Sequence, residues 1–215
     1  MSTTIIIDYG MGNLRSVQKA LERIGEPAII SSSASEISTA ARLILPGVGA
    51  FRDAIAAIRQ HDLTGVITDH IAADQPFLGI CLGMQLLMDV SHEEGEHEGL
   101  GVIPGDCRRF DLPAEYKIPH MGWNQLDCSP QPDHGLLQNL EPQPWFYFVH
   151  SYHVAPSDPA WIAATTDYGR PFVSVVAKSN VMATQFHPEK SQSSGMQLLK
   201  NFLTVTADHE VIAGH

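Results

Sequence analysis

The sequence predicts an α/β fold: a doubly wound, mostly parallel sheet flanked by helices, with an additional antiparallel β layer. In the first 90 residues, short β-rich runs alternate with segments of helical periodicity, which is the pattern of a parallel sheet. Beyond Val90 the chain becomes acidic and glycine-rich, then proline-rich with short β-like runs. The 215 residues suffice for a full core, and we expect a single domain over residues 1–215.

The first βα unit begins with a β-rich run over residues 4–8. A glycine loop, Tyr9-Gly10-Met11-Gly12-Asn13, follows this run, and residues 14–24 then place apolar side chains at helical spacing. The glycines invite comparison with a dinucleotide-binding fingerprint, but Arg15 occupies the position of its third glycine. We therefore interpret the loop as a tight turn.

The remaining elements follow from the same periodicities and from turn residues. We expect strands at 28–30 and 42–45, a short helix at 35–41, and a helical segment over 51–73 that is broken near Gly65. β-like runs occur near residues 105–110, 123–127, 145–149, 161–166 and 172–186, and an amphipathic helix over 194–205 ends the pattern.

Within residues 77–87, a cysteine lies at the junction between an apolar strand and an apolar helix. Gly79 and Gly83 flank Cys81 at the spacing of a nucleophile elbow, in which small residues allow a sharp strand-to-helix turn. A thiol at a helix N-terminus is biased toward the reactive thiolate. The alternative for an isolated cysteine is a buried structural residue.

A histidine and a glutamate follow the last β-like run. His187 and Glu189 are two residues apart, which on a strand places both side chains on one face, and Pro188 would end that strand. A carboxylate that orients an imidazole next to a thiol is the logic of a catalytic triad. We therefore expect Cys81, His187 and Glu189 to act together.

Acyl transfer also needs N–H donors for the developing oxyanion. The backbone N–H of Leu82 is one candidate, because in elbow enzymes the residue after the nucleophile supplies a donor. Val48 and Gly49, after the strand at 42–45, are candidates for the second donor, and Gly47 allows close approach of a substrate. A simple strand-end turn would explain the same glycines.

Gln85 lies four residues after Cys81 and therefore one helical turn below it on the same face. Its amide is a candidate hydrogen-bonding partner for a substrate beside the thiol. A solvent-facing glutamine is the alternative, but the surrounding helix is apolar.

Composition excludes several function classes. The formal charge of −11 repels phosphate backbones, which argues against nucleic acid as a partner. No apolar run is long enough to cross a membrane, and the first residues lack a secretory signal, so we expect a cytoplasmic protein. Three cysteines without metal-ligand spacing fit reduced thiols.

Two groups of histidines contain residue types that bind metals, but their spacing does not fit a metal site. The acidic stretch over residues 91–101 has no standard ligand spacing and is interpreted as a solvated loop. His150 and His153 are three apart in a β-like stretch, which should turn them to opposite faces. We expect no metal and no cofactor.

Three of these stretches together resemble the signatures of class I, triad-type glutamine amidotransferases. They are Pro46-Gly47-Val48-Gly49, Gly79-Ile80-Cys81-Leu82-Gly83-Met84-Gln85 and His187-Pro188-Glu189. The resemblance implies hydrolysis of L-glutamine through a γ-glutamyl thioester on Cys81, with His187 as general base and acid and Glu189 as its orienting carboxylate. From its place one turn below the thiol, Gln85 is then predicted to bind the α-amino or carboxylate end of glutamine.

Further stretches resemble the glutaminase subunits of imidazole glycerol phosphate synthases. These stretches cover residues 7–13, 117–124, 148–152 and 186–191, with His153 as a departure and a tail from Ala207 that matches nothing. The resemblance implies a heterodimer with a cyclase subunit, which uses ammonia to make imidazole glycerol phosphate and an aminoimidazole carboxamide ribotide in histidine biosynthesis. It places Asn13, Trp123 and Lys190 at the docking face.

Two other functions remain open at this point. A γ-glutamyl hydrolase or stand-alone amidase of the same fold would use the same triad, but it would not need the stretch over residues 117–124. A non-catalytic docking module would not need an intact triad. Ammonia release from glutamine, measured with and without a cyclase, distinguishes these functions.

Overall fold

A computed structural model describes residues 3–131 and 133–205, so the tail from Ala207 lies outside the described residues. The strands are β1 (Thr4–Ile7), β2 (Ala28–Ser31), β3 (Arg42–Gly47), β4 (Phe77–Cys81), β5 (Met88–Ser91), β6 (His97–Glu98), β7 (Ile103–Arg109), β8 (His120–Gln125), β9 (Trp145–His150), β10 (Tyr152–Pro156), β11 (Ile162–Asp167), β12 (Pro171–Lys178) and β13 (Val181–Thr184). The α-helices are α1 (Leu14–Arg23), α2 (Ala34–Ile37), α3 (Phe51–Gln60), α4 (Leu63–Ala72), α5 (Leu82–Gln85) and α6 (Gln192–Thr204). Short 3-10 helices cover Gly135–Leu137, Pro159–Trp161 and Pro188–Lys190.

The central sheet has seven strands in the order β11-β12-β13-β4-β3-β1-β2. β2, β1, β3, β4 and β13 pair in parallel, whereas β12 and β11 extend the sheet in antiparallel fashion. The chain runs from β1 to one edge at β2 and then returns to β3 on the other side of β1, which creates a switch point in the strand order. The predicted α/β class and its mostly parallel sheet are confirmed.

Both faces of this sheet are covered by helices. Ile5 and Ile7 of β1 face one core with α3 and α4, whereas Ile6 faces a second core with α1 and α6. This alternation is expected of a strand that is buried on both sides. The carboxyl ends of the parallel strands meet at one edge, and that edge carries the loops after β1, β3 and β4.

The additional antiparallel strands are present, although part of the predicted layer belongs to the central sheet. β8 and β9 form a two-stranded antiparallel sheet, and β10-β7-β5-β6 form a four-stranded sheet in which only β5 and β7 pair in parallel. The run over residues 172–186 splits into β12 and β13 at Ser179, whose φ of 53° makes the turn. β13 then pairs in parallel with β4, which brings the end of the chain next to the elbow strand.

The helical segment over residues 51–73 breaks at a different place from the one predicted. The break lies at His61 and Asp62, and Gly65 is inside α4. Asp62 has a φ of 53°, a left-handed conformation that cannot continue a right-handed helix. A glycine inside a helix costs only about 1 kcal/mol, so Gly65 alone does not end it.

The acidic stretch contributes to the fold and is more than a solvated loop. Its residues include β6, and the Glu93 carboxylate accepts a hydrogen bond of 2.6 Å from the backbone N–H of Phe51. Ala50, the N-cap residue of α3, makes no side-chain capping bond. Glu93 therefore supplies the negative charge that a helix N-terminus favours. Within residues 3–131 and 133–205, every helix is too short or too polar to cross a bilayer.

Candidate active site

The junction between β4 and α5 is a strained turn centred on Cys81. β4 ends at Cys81, which has φ 55° and ψ −106°, and α5 begins at the next residue. A positive φ is uncommon for a residue with a side chain and is typical of the nucleophile position in an elbow. The thiol is buried except for 6% of the residue surface.

The two flanking glycines are required by packing. A Cβ at Gly83 would clash with the backbone carbonyl oxygen of Leu45 on the neighbouring strand. A Cβ at Gly79 would lie 2.8 Å from the carbonyl oxygen of Gly83. The G-x-C-x-G spacing therefore reflects a close approach of three backbone segments, as the sequence predicts.

The helix behind the thiol is shorter than expected. α5 is a single turn, and β5 begins three residues after its end, at Met88. The backbone at Leu86 and Leu87 is held by residues further along the chain, with Leu100 donating to Leu86 and Val102 to Leu87 at 2.8 and 2.9 Å. The aligned peptide dipoles behind Cys81 are correspondingly few.

His187 and Glu189 lie after the last strand and not on it. β13 ends at Thr184, and Pro188 begins a 3-10 helix, for which its fixed φ is well suited. The predicted strand geometry is therefore wrong at this point, but the two side chains meet. The Nδ1 atom of His187 is 2.8 Å from Oε1 of Glu189, and both side chains are only 2% exposed.

The charge state of His187 depends on its partners. Burial lowers the pKa of His187, but interactions with the Cys81 sulfur and the Glu189 carboxylate outweigh this effect and raise it to about 9. Because the carboxylate accepts from Nδ1, that nitrogen carries the proton in the neutral ring. Nε2 is buried and makes no hydrogen bond of standard geometry. It is therefore free to exchange a proton with a reacting group.

Two residues that the sequence analysis did not single out hold His187 in place. The backbone N–H of His187 donates to the carbonyl oxygen of Tyr147 at 3.0 Å, and the Ser191 hydroxyl donates to the carbonyl oxygen of His187 at 2.6 Å. The same Ser191 oxygen accepts from the Tyr147 N–H at 3.0 Å. β9 and the start of α6 thus fix the backbone of the histidine.

Gln85 is buried, and a second glutamine connects it to Cys81. The Nε2 atom of Gln85 donates to the carbonyl oxygen of Tyr152 at 3.0 Å and to Oε1 of Gln185 at 3.1 Å. The Nε2 atom of Gln185 in turn donates to the Cys81 sulfur at 3.7 Å. The solvent-facing alternative for Gln85 is therefore wrong. Gln185 directly follows β13, and no sequence pattern singles it out. Its contact with Cys81 is visible only in the folded structure.

The loop after β3 lies directly beside the elbow. Gly47 is in register with Cys81 in the parallel pair of β3 and β4. A Cβ at Gly47 would lie 2.6 Å from the Tyr9 hydroxyl oxygen and 2.8 Å from the Leu82 Cβ, so only glycine fits. Val48 is exposed, and Gly49 has a φ of 102°, which favours glycine. The loop with Val48 and Gly49 therefore follows directly on the strand that pairs with the elbow strand, and Leu82 begins the helix after Cys81.

Comparisons with known proteins identify the family. The family model of glutamine amidotransferase class-I matches residues 5–206. The chain is 56% identical over 203 residues to the imidazole glycerol phosphate synthase subunit HisH of Rhodopirellula baltica, which covers 94% of this chain and 98% of that protein. It is 50% identical over 212 residues to the subunit of the same name from Salinibacter ruber, covering 96% of each. The chain belongs to the class-I glutamine amidotransferase family.

Solved structures of more distant proteins share the fold of this glutamine amidotransferase. A structure described as PurLQS from Thermotoga maritima superposes with a TM-score of 0.75 at 17% identity, over 94% of this chain and 97% of that one. A structure described as a glutamine amidotransferase gives a TM-score of 0.73 at 19% identity, over the same shares. At these identities the likeness concerns the fold.

The three residues predicted at a docking face of the amidotransferase have different surroundings. Trp123 is 44% exposed on β8, and its ring lies 6.1 Å from that of Tyr147, whose backbone holds His187. Lys190 ends the 3-10 helix that begins directly after His187. Asn13 caps α1, where its side chain accepts from the Ser16 N–H. The capping hydrogen bond explains an asparagine at position 13 without any partner protein. The exposure of Trp123 has no such structural explanation.

The strand pattern predicts that His150 and His153 of this amidotransferase point to opposite faces, and this prediction is wrong. β9 ends at His150 and β10 begins at Tyr152, so the chain turns between the two histidines. Both rings pack against Phe110, with centroid distances of 5.1 and 5.0 Å. Across the described residues, no three His, Cys, Asp or Glu side chains group as a metal site.

Proposed function

We propose that this chain is the glutaminase subunit of an imidazole glycerol phosphate synthase, which hydrolyses L-glutamine and passes the ammonia to a cyclase subunit. The observation that carries the proposal is the buried contact of 2.8 Å between His187 and Glu189, next to a cysteine in a strained elbow. Relatives with half of their residues identical bear the name of this synthase subunit. Their identity extends over nearly the whole chain, which supports an activity of the same class.

In the proposed reaction the proton of the Cys81 thiol lies on Nε2 of His187 from the start, because the pKa of this imidazole is raised to about 9. The sulfur then attacks the side-chain amide carbon of glutamine, and the charge on the amide oxygen is stabilised by backbone N–H groups of Leu82 and of Val48 or Gly49. His187 returns the proton to the departing nitrogen, and ammonia leaves as the thioester forms. Glu189 keeps the proton on Nδ1, so Nε2 is the nitrogen that exchanges it.

The second half of the reaction uses the same groups. A water molecule gives a proton to Nε2 of His187 and attacks the thioester carbon, and the C–S bond breaks to release glutamate. The protonated imidazole and the released sulfur then form the starting pair again. A pKa of about 9 for His187 in the resting site means that the imidazole holds this proton at neutral pH. Gln85 would bind the α-amino end of glutamine through Oε1, because its amide nitrogen already donates to Tyr152 and Gln185. Gly47 would let the substrate pass close to the backbone.

The acceptor chemistry belongs to a partner in this proposal. A cyclase subunit would dock on the edge that carries Cys81, at a face that includes Trp123, Lys190 and Asn13. Trp123 supports this docking face because it is a large exposed aromatic side chain on the two-stranded sheet whose strand β9 holds His187. We further propose that the complex works in the cytoplasm, without a metal or cofactor in this subunit.

A Cys81→Ser variant, assayed together with a cyclase subunit and its phosphorylated precursor, tests this function. Without the thiolate, product formation from glutamine should fall by about three decades or more, because the acyl-transfer step loses its nucleophile. Product formation from added ammonium salt should be unchanged, because that reaction bypasses the thiol. Both rates are measured from formation of the imidazole product.

Cys128→Ser is the matched control, since Cys128 is partly buried and lies outside the site. It should support both reactions at the wild-type rate. A Cys81→Ser variant that still uses glutamine would refute the assignment of the nucleophile. A wild-type chain that hydrolyses glutamine but supplies no product with any cyclase would favour a stand-alone amidase.

A further inference from the structure

A chain of hydrogen bonds through two buried histidines runs from the two-stranded sheet β8–β9 toward the thiol. The Nδ1 atom of His120 lies 3.0 Å from Nε2 of His150, and Nδ1 of His150 lies 2.8 Å from the carbonyl oxygen of Tyr152. The Nδ2 atom of Asn124 lies 3.3 Å from Nε2 of His120. These histidines are 3% and 5% exposed. Neither side chain has a role in the reaction described above.

The donors in this series of hydrogen bonds all point in one direction, from Asn124 toward the Tyr152 carbonyl. A carbonyl oxygen can only accept, so Nδ1 of His150 must carry a hydrogen. Burial lowers the pKa of His150 to about 3 and that of His120 to about 4, so both rings are neutral near pH 7. Nε2 of His150 then accepts from Nδ1–H of His120, whose own Nε2 accepts from the Asn124 amide. Both rings are therefore fixed as the Nδ1–H tautomer.

The orientation of the Asn124 amide agrees with this direction. Its oxygen accepts from the backbone N–H of Gln125 at 2.8 Å, and its nitrogen also donates to the carbonyl oxygen of Asp167 at 2.9 Å. The His120 ring is held between Phe148 and Tyr168, with centroid distances of 4.9 and 4.0 Å. Packing thus prevents the ring from turning to another partner.

The carbonyl oxygen of Tyr152 joins this chain to the candidate active site. It accepts from His150 on one side and from the Gln85 amide on the other, at 2.8 and 3.0 Å. Gln85 uses its second N–H on Gln185, which donates to the Cys81 sulfur. A change in the position of this carbonyl would therefore move the amide that holds Gln185 against the thiol.

We propose that His120 and His150 are positioning residues, which fix the Tyr152 carbonyl and through it hold Gln85 and Gln185 beside Cys81. We call the hydrogen bonds from Asn124 through His120 and His150 to the Tyr152 carbonyl the relay. Its role in glutamine hydrolysis rests on the proposed function. β8 also carries the exposed side chains of Met121 and Trp123, so the relay begins directly behind the proposed docking face. A partner that shifts β8 would reach the thiol environment through fixed hydrogen bonds.

Nitrogen NMR of the full-length, ¹⁵N-labelled chain tests the relay without any activity measurement. Free neutral histidine prefers the Nε2–H tautomer, whereas the relay requires Nδ1–H in both rings at pH 7. Long-range ¹H–¹⁵N spectra distinguish the two tautomers, and His120→Gln and His150→Asn variants assign the signals. An Nε2–H tautomer, or exchange between tautomers, in either ring would overturn the proposal.

The second measurement is glutamine turnover in the complex with the cyclase subunit. His150→Phe removes the donor to Tyr152 and leaves a buried donor of His120 unpaired, so kcat/KM for glutamine should fall about tenfold. His150→Asn places its amide nitrogen where Nδ1 stood, and it should recover most of this loss. Rescue by a residue that keeps only the donor separates positioning from ring packing.

His153→Phe is the matched control. His153 packs against the same Phe110 ring but lies outside the relay, and its Nδ1 atom contacts only the neighbouring carbonyl of Val154. This variant should retain the wild-type kcat/KM. Equal activity of His150→Phe and wild type would refute the relay, as would equal losses in His150→Phe and His150→Asn. A wild-type complex without glutaminase activity would instead refute the proposed function and leave the tautomer test valid.

Discussion

The molecule contains two kinds of buried histidine, and they respond to burial in opposite ways. His187 is 2% exposed, and its pKa is raised to about 9. His120 and His150 are nearly as buried, and their pKa values are lowered to about 4 and about 3. Burial alone disfavours the charged imidazolium in all three. The chemical nature of the partners must therefore decide the sign of the shift.

The partners differ in charge. His187 meets a carboxylate at 2.8 Å and interacts with the Cys81 sulfur, both of which favour a positive ring. His150 meets a backbone carbonyl and another imidazole, and neither can balance a buried charge. The fold uses the first environment to keep a proton available beside a nucleophile. It uses the second to keep the two imidazole rings neutral and to fix which nitrogen of each ring donates a hydrogen bond.

Glu189→Gln tests this comparison most strongly. The change removes the negative charge but keeps the shape of the side chain, so the pKa of His187 should fall below 9, while the interaction with the Cys81 sulfur remains. The amide can also donate to Nδ1 and favour the wrong tautomer, as in triads that lack their carboxylate. We expect kcat/KM for glutamine to fall by about two to four decades.

The matched control for this variant is Glu115→Gln, at an exposed position. It should leave activity and the pKa of His187 unchanged. NMR titration of His187, His120 and His150 in each variant provides the direct comparison. A Glu189→Gln variant in which His187 still titrates near 9 would show that the carboxylate does not set its charge.

The sequence could predict the elbow because its constraints are local. Gly79 and Gly83 are needed where two backbones almost touch, and that need appears as a fixed spacing in the chain. The pairing of His187 with Glu189 was also predictable, although the strand on which it was based ends at Thr184. A 3-10 helix presents the two side chains to one another as well as a strand would have done.

The buried network could not be predicted from the sequence. Gln85 is 100 residues away from Gln185, and the two meet only because β13 pairs with β4. His120 and His150 meet because β8 and β9 pair in a register that places them opposite one another. Periodicity predicts which face of a strand is buried, but it contains no information on register between distant strands. The wrong faces for His150 and His153 have a different, local cause, because one strand ends at His150 and the next begins at Tyr152.

Gln85→Ala sharpens the comparison, because Gln85 lies where the neutral network meets the charged site. Loss of a hydrogen bond to a charged end of glutamine costs roughly 1.5–3 kcal/mol, so kcat/KM should fall by about one to two decades. A mainly binding role predicts an increase in KM, which steady-state kinetics resolves. Gln125→Ala, which removes only an exposed contact to Gln143, should have no effect. An unchanged kcat/KM in Gln85→Ala would contradict both the binding role of Gln85 and its place between the Tyr152 carbonyl and Gln185.

The smallest expected effect is on stability, where the two kinds of histidine should give opposite pH slopes. A raised pKa means that the folded chain binds the proton more tightly, so the contribution of His187 is fully present below about pH 6.5 and is lost as pH rises through about 9. A lowered pKa has the opposite sign. Below about pH 6.5 these histidines bind protons in the unfolded chain but not in the folded chain. The free energy of unfolding therefore falls as pH decreases toward the folded-state pKa values, about 4 for His120 and about 3 for His150.

Urea unfolding between pH 5 and pH 10 measures both slopes in the same chain. Each histidine that binds a proton in only one state contributes about 1.4 kcal/mol per pH unit. His150→Asn should reduce the acid slope, although the lowered pKa values of His70, His134 and His153 will preserve part of it. His187→Gln should reduce the alkaline slope and leave the acid slope unchanged, because its proton exchange falls on the other side of pH 6.5. If His187→Gln and His150→Asn altered the same side of the curve, the assignment of opposite charges to the two environments would be wrong.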